Sequence, residues 1–310
     1  MAQGFDKPGD QHVLTLAHAV CSSKAFLLSG FFDHDAKRAE AAERKWGCPA
    51  SPRDRMTWLD QSWDVVCIAT PDVQHTADFR DVLARKPKAI LTEKPLALER
   101  EEAAALLREA SRLGVPVLVD FPRRWHSGVA AVSDHIAQGR LGNPLAATFV
   151  YSGEAVHSAV HMLDLFYAWW GGGWDVVLES RQGHVAHLTF SRKSEVVATS
   201  FIHVPAQSYY ALEMQVYCEK GKIELSHSPE MLDINELRPH PLYPSFQVLT
   251  PLKSFQMEAE PLLVRMMETL ADMIADPDVA KAQAKREMDS QEFSWQVLRW
   301  LEAPHHSLAS

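Results

Sequence analysis

A chain of 310 residues is long enough for two domains, each with a core of its own. Hydrophobic residues at 46%, charged residues at 23% and a net charge of -9 describe an ordinary globular protein, and argue against nucleic acid or an anionic membrane as partner. The four cysteines (Cys21, Cys48, Cys67, Cys218) are scattered without paired spacing, which argues against a disulfide framework or a zinc ribbon, and no long apolar run or leader pattern is present, so reduced thiols in a cytoplasmic protein are expected.

In chain order, Gly4, Asp6 and Gly9 fall on the frame of a G-x-G-x-x-G turn, with Asp6 where the second glycine belongs. No strand pattern precedes this turn, so the first strand of a dinucleotide-binding unit is expected to be missing or truncated. A helix pattern runs from His12 to about Ser23, and the apolar stretch Lys24 to Phe32 predicts a buried strand ending at Asp33. An acid at that tip would accept hydrogen bonds from an adenosine ribose and repel a 2′-phosphate. Equally, Asp33 or Asp35 could cap the helix Ala36–Trp46, which Gly47 stops.

Residues 63–72 contain a further buried strand that closes in Thr70-Pro71, and a helix follows over His75–Ala84. Ala89 to Leu91 is a strand leading into Thr92-Glu93-Lys94-Pro95. A proline restricts the residue before it to extended backbone, so Lys94 is presented at a strand tip, where ligands of open α/β sheets bind. The helix Glu99–Leu113 and the strand Val115–Asp120 complete an alternation that predicts a doubly wound parallel sheet over residues 1–121.

The pattern changes over residues 122–310. Arg123-Arg124-Trp125 sits at the junction, where an arginine could pair a substrate carboxylate or a cofactor group, or simply pack. The helix Ser127–Gln138, the strand Leu145–Tyr151 and a helix over 155–170 precede five strand-like runs, and two helices close the chain. Strands in succession predict an α+β domain with a large, mostly antiparallel, open-faced sheet. The aromatic residues Phe166, Tyr167, Trp169 and Trp170 read as packing.

Several of these pieces together resemble the glucose–fructose oxidoreductase / inositol dehydrogenase / MocA (Gfo/Idh/MocA) family. They are Asp33 with the Lys37-Arg38-Ala39 helix start, Ala69-Thr70-Pro71-Asp72 with His75, and Glu93-Lys94-Pro95. Arg123-Arg124-Trp125, Gly139-Arg140-Leu141-Gly142 and His161-Met162-Leu163-Asp164 continue in family order. The resemblance implies an NAD(P)-dependent oxidoreductase moving a hydride between nicotinamide and a hydroxyl or carbonyl carbon of a sugar, cyclitol or similar small molecule. It implies a homodimer or homotetramer assembled through the second domain's sheet.

Carried over by position, Gly4, Gly9, Asp33, Thr70, Pro71, His75, Glu93 and Lys94 would border the cofactor, with Asp33 favouring NAD over NADP. Lys94 and His161 would carry the chemistry with Asp164 beside them, and Arg123, Arg124 and His157 would meet the substrate. His157 stands where the family usually carries an aspartate. Imidazole titrates nearest neutrality and suits proton transfer, while a lysine can favour a developing alkoxide.

Two other readings remain. One is a catalytically impaired relative that keeps the fold for ligand binding or assembly. The other is a divalent metal held by His157, His161 and Asp164 at i, i+4 and i+7 of one helix; the favoured assignment contains no metal.

Overall fold

The computed structural model describes residues 6–205 and 209–302. Contacts divide the chain into two units, Met1–Pro122 with Pro261–Gln291 and Arg123–Glu260 with Glu292–Ser310.

In the first unit, α1 (Leu16–Ser22) starts later than its apolar pattern suggests, because the Thr15 hydroxyl accepts from the His18 amide and sets the cap. Helix α2 (Ala36–Trp46) is bounded by Asp35, whose carboxylate accepts from the Lys37 amide, and by Gly47 in left-handed backbone at φ 67°. After α3 (Arg55–Leu59) come β1 (Val65–Ile68), α4 (Asp72–Ala84), β2 (Ala89–Thr92), α5 (Arg100–Leu113) and β3 (Val117–Val119). The strands pair in parallel in the order β1-β2-β3, with Val66 opposite Ile90 and Leu91 opposite Leu118. Every residue of β2 is buried, as a strand covered on both faces by crossover helices requires. Parallel strands joined through helices make this a Rossmann-type unit.

The strand expected over Lys24–Phe32 does not form: these residues are non-helical, pair with no strand, and leave Leu27 86% exposed. Backbone amides gain ladder bonds only beside another strand, and among the described residues no strand lies next to this stretch. An apolar run states a preference for burial, but it cannot supply its own neighbour.

The second unit follows a 3-10 turn at Pro122–Trp125. It comprises α6 (Ser127–Ala137), β4 (Pro144–Ser152), α7 (Ala159–Trp170), β5 (Asp175–Gln182), β6 (Val185–Arg192), β7 (Glu195–Val204), β8 (Leu212–Cys218), β9 (Gly221–Ser226), β10 (Met231–Pro239) and β11 (Gln247–Gln256). These strands make one eight-stranded sheet in the order β11-β10-β9-β8-β4-β7-β6-β5, antiparallel except for β4 beside β7. Along β8 and β9 buried residues alternate strictly with exposed or half-exposed ones, so one face lies in the core and the other stays open.

Phe166 of α7 is the centre of the covered side, with the rings of Phe149, Trp170, Trp174, Phe190 and Phe293 all within 6.2 Å. Helix α8 (Leu262–Ala275) belongs to the first unit and packs on α1 and β2. The last helix, α9 (Pro277–Leu301), has residues in both units. The hairpin β10–β11 escapes a sequence reading because β11 is an edge strand carrying Pro251 and Lys253, nearly all of it exposed, with no core side to impose alternation.

Gly221, at the start of β9, is where the sheet is tightest: a Cβ there would sit 2.5 Å from the Asn235 carbonyl oxygen and 2.5 Å from a Leu141 methyl. Gly221→Ala is expected to cost about 1–3 kcal/mol by overpacking, read as a lowered thermal midpoint. An unchanged midpoint would contradict the β9–β10 register.

Candidate functional site

The carboxyl ends of β1, β2 and β3 lie side by side. Beyond the last rung, Glu93 N donates to Ile68 O at 2.8 Å on one side, and Asp120 N donates to Thr92 O at 2.8 Å on the other. The backbone entering Lys94 is therefore held from both flanks, and the Lys94–Pro95 peptide, which is cis, follows directly. Lys94 and Glu93 are half-buried, and Pro95 and Leu96 are buried.

At the neighbouring tip, the Thr70 hydroxyl oxygen is buried and has no hydrogen-bond partner among the described residues. Buried polar atoms are ordinarily satisfied, and a hydroxyl left over at a strand tip has the chemistry to meet a polar ligand atom. Pro71 caps α4 without a side-chain bond. His75, 1% exposed, turns back from the first turn of α4, its Nδ1 2.6 Å from Pro95 O and its Nε2 2.8 Å from Thr70 O. Thr70, Pro71, His75, Glu93 and Lys94 are thus brought together.

The other expected cofactor residues stand apart from this group in kind. Gly4 lies outside the described residues, and Gly9 occupies an exposed turn at φ 88° closed by Asp10 N donating to Lys7 O. Asp33 accepts from Asp35 N at 2.9 Å and lies 3.2 Å from His34 Nδ1, so it shapes the turn into α2 while Asp35 caps the helix.

Asp6 is 3% exposed and its carboxylate meets the beginning of α1. It accepts from Leu14 N at 2.6 Å, Thr15 N at 3.1 Å and Thr15 Oγ1 at 2.5 Å, and approaches His18 Nδ1 at 2.9 Å. Burial alone would raise this carboxyl, but the bonds from Thr15, Leu14 and His18 outweigh it and hold Asp6 below the usual aspartate range. The carboxylate at the expected second-glycine position is therefore a structural anion.

In the second unit, Arg124 and Asp164 form a buried ion pair, with side chains 0% and 2% exposed. Arg124 Nε donates to Asp164 Oδ2 at 3.0 Å and its Nη2 donates to Oδ1, a fork that matches a carboxylate. Asp164 thereby anchors α7, whose first turn carries the half-buried His161.

His157 lies in the turn before α7 and is 3.3 Å from Glu154. The helical spacing behind a metal at His157, His161 and Asp164 thus fails, since only the last two are on the helix, and no metal-holding group of three is found among the described residues. Arg123 is half-buried in the 3-10 turn. The pairing of Arg124 with Asp164 was invisible at a separation of forty positions, yet a clue was present. Asp164 is the one acid in an otherwise apolar helix, and a buried acid needs a partner.

Residues 6–121 match the model of the Gfo/Idh/MocA oxidoreductase family, NAD-binding Rossmann fold.

No curated protein sequence matches the chain. Among solved structures, an NAD binding oxidoreductase from Klebsiella pneumoniae is 15% identical, covering 92% of this chain and 91% of its own at a TM-score of 0.74. UDP-N-acetylglucosamine 3-dehydrogenase from Acidithiobacillus ferrooxidans is 19% identical over 93% of each chain, TM-score 0.68. A 3-ketoreductase from Actinomadura kijaniata, in complex with TDP-benzene and NADP, is 14% identical over 90% of each chain, TM-score 0.70. At these identities the likeness is one of fold, and it extends through both units. No helix among the described residues is long and apolar enough to cross a membrane.

Two outcomes are expected. Asp164→Ala removes the carboxylate that takes the two-pronged contact of buried Arg124 and should destabilise the protein by about 3–5 kcal/mol, measured by denaturant unfolding; a loss under about 1 kcal/mol would mean water reaches the guanidinium. Because its native pKa is lowered, Asp6 contributes stability that is present above the ordinary aspartate value of about 3.9 and is lost as pH falls through the native value. Asp6→Asn should therefore be less stable than wild type at neutral pH, with the gap closing in acid.

Proposed function

We propose that the chain is an NAD(P)-dependent oxidoreductase acting on a hydroxyl or carbonyl carbon of a sugar, cyclitol or related small molecule. The observation that carries this reading is the buried, unpartnered Thr70 hydroxyl beside the Glu93-Lys94-Pro95 turn. Its chemistry fits a dinucleotide, whose amide and sugar hydroxyl groups can complete it. Thr70, Pro71, Glu93 and Lys94 would hold the nicotinamide end, with His75 behind them, and Asp33 the ribose end, favouring NAD. Gly4 and Gly9 are assigned to the same cofactor through the family pattern alone.

The bound dinucleotide supplies a hydride acceptor or donor. The remaining work falls to side chains. Lys94 donates a hydrogen bond to the reacting oxygen and favours charge developing there. His161 accepts the hydroxyl proton in oxidation and returns it in reduction. Arg124 and Asp164 serve the reaction through α7, and Arg123 and His157 contact the substrate. The open face of the eight-stranded sheet is assigned to a homodimer or homotetramer, and the setting to the cytoplasm.

Titration of the purified chain with NADH and NADPH, read by energy transfer from tryptophan, is expected to give saturable binding that is tighter for NADH. Binding of neither would favour a relative that keeps the fold without using the cofactor. Lys94→Met should lower turnover by about two to three orders of magnitude with the fold intact, the scale of losing one preorganised donor. Undiminished turnover in that variant would remove Lys94 from the chemistry.

A further inference from the structure

The geometry points to His75 as a positioning residue that holds Lys94 through the Pro95 carbonyl. The inference deepens the reading above, since it concerns the lysine assigned there to the reacting oxygen.

Both ring nitrogens of His75 face backbone carbonyls, Nδ1 at 2.6 Å from Pro95 and Nε2 at 2.8 Å from Thr70. Carbonyl oxygens only accept, so each contact is a hydrogen bond only when its nitrogen carries hydrogen. The ring is 1% exposed, and water does not stand in for either partner. The imidazole therefore lies between two strand-tip turns, donating to one of the two carbonyls as a neutral ring and to both only as an imidazolium. Thr70 follows β1 and Pro95 follows Lys94, and neither carbonyl can be used by a next rung of the sheet, because the strands end before them.

The strut complements the ladder. Glu93 N to Ile68 O and Asp120 N to Thr92 O fix the backbone on the approach to Lys94. His75 fixes it on the far side, so Lys94 is clamped on both sides in sequence. A shift of about 1 Å in a catalytic group can cost about a hundredfold in rate, which gives a second clamp a functional consequence.

Asparagine and glutamine separate this role from general packing. An Asn amide nitrogen stands near the place of Nδ1 and a Gln amide nitrogen near that of Nε2. His75→Asn therefore keeps the bond to Pro95 and loses the one to Thr70, and His75→Gln does the reverse. His75→Leu keeps neither.

The test is competitive acetylation of the full chain with trace acetic anhydride, quantified by mass spectrometry at Lys94 relative to the exposed Lys37 and Lys193. Lys94 labelling in His75→Asn is expected within about twofold of wild type, and in His75→Gln raised by about threefold or more, as the Pro95 turn loosens. His75→Leu should resemble the Gln variant; if it fails to fold, the Asn and Gln pair decides alone. Equal labelling of Lys94 in the Asn and Gln variants, or higher labelling in Asn, would overturn the inference.

NADH titration of the same samples keeps the two claims apart. A wild type that does not bind NADH refutes the functional reading whatever the labelling shows. A wild type that binds NADH while the Asn and Gln variants label alike refutes the strut alone. Where turnover is measured, the loss in His75→Gln is expected to be larger in kcat than in NADH affinity.

Discussion

A parallel strand that ends inside a protein leaves polar groups with no next rung, and the first unit is organised around how those groups at the tips of β1, β2 and β3 are satisfied. Amides of Glu93 and Asp120 extend the ladder by one step on either side of the central strand. The carbonyls of Thr70 and Pro95 both face one buried imidazole. What remains is the Thr70 hydroxyl, a buried group at these tips for which the described residues provide no hydrogen-bond partner. A site of this kind is made by subtraction: the fold satisfies its own backbone and leaves side-chain atoms for a ligand.

The second unit solves a different problem with the same economy of means. Helix α7 is apolar enough to sit at the core of the unit, with Phe166 inside a ring of five aromatic side chains. It also carries an acid, and an isolated carboxylate there would be costly to bury. Arg124 removes the cost through a two-pronged contact, so the helix can be both core element and carrier of His161. Asp164 and Arg124, both expected near a substrate, are each other's partner in the structure.

Elements with both a period and a punctuation mark were readable from the residues. Helix α2 runs between Asp35 and Gly47 as its caps dictate, and α5 ends at Gly114 for the same reason. The strands β2 and β3 announced themselves as short apolar runs between helices. Elements defined by a neighbour were not readable. Residues 24–32 have the composition of a buried strand and no strand to join. The hairpin β10–β11 has no apolar face along its outer strand and forms because β9 offers an edge. The candidate site divides in the same way: Lys94 was marked by local context and Thr70 and His161 by the family resemblance, whereas the partners of Asp6, His75 and Asp164 are set by chain reversals.

The sequence by itself determined the fold class, with strand–helix alternation followed by strands in succession, and the position of Lys94 at a strand tip, because periodicity, caps and proline act within a few residues; that residues 261–291 return to the first unit was not legible. Only the tertiary structure decided which polar atoms are paired and which are left over. Asp6 became the anion of α1, Asp164 the counterion of Arg124 and His75 a strut between two carbonyls. Hydrogen bonding in a buried space is exclusive: an atom committed to one partner is withdrawn from others, and that commitment depends on distances in three dimensions that no local pattern encodes.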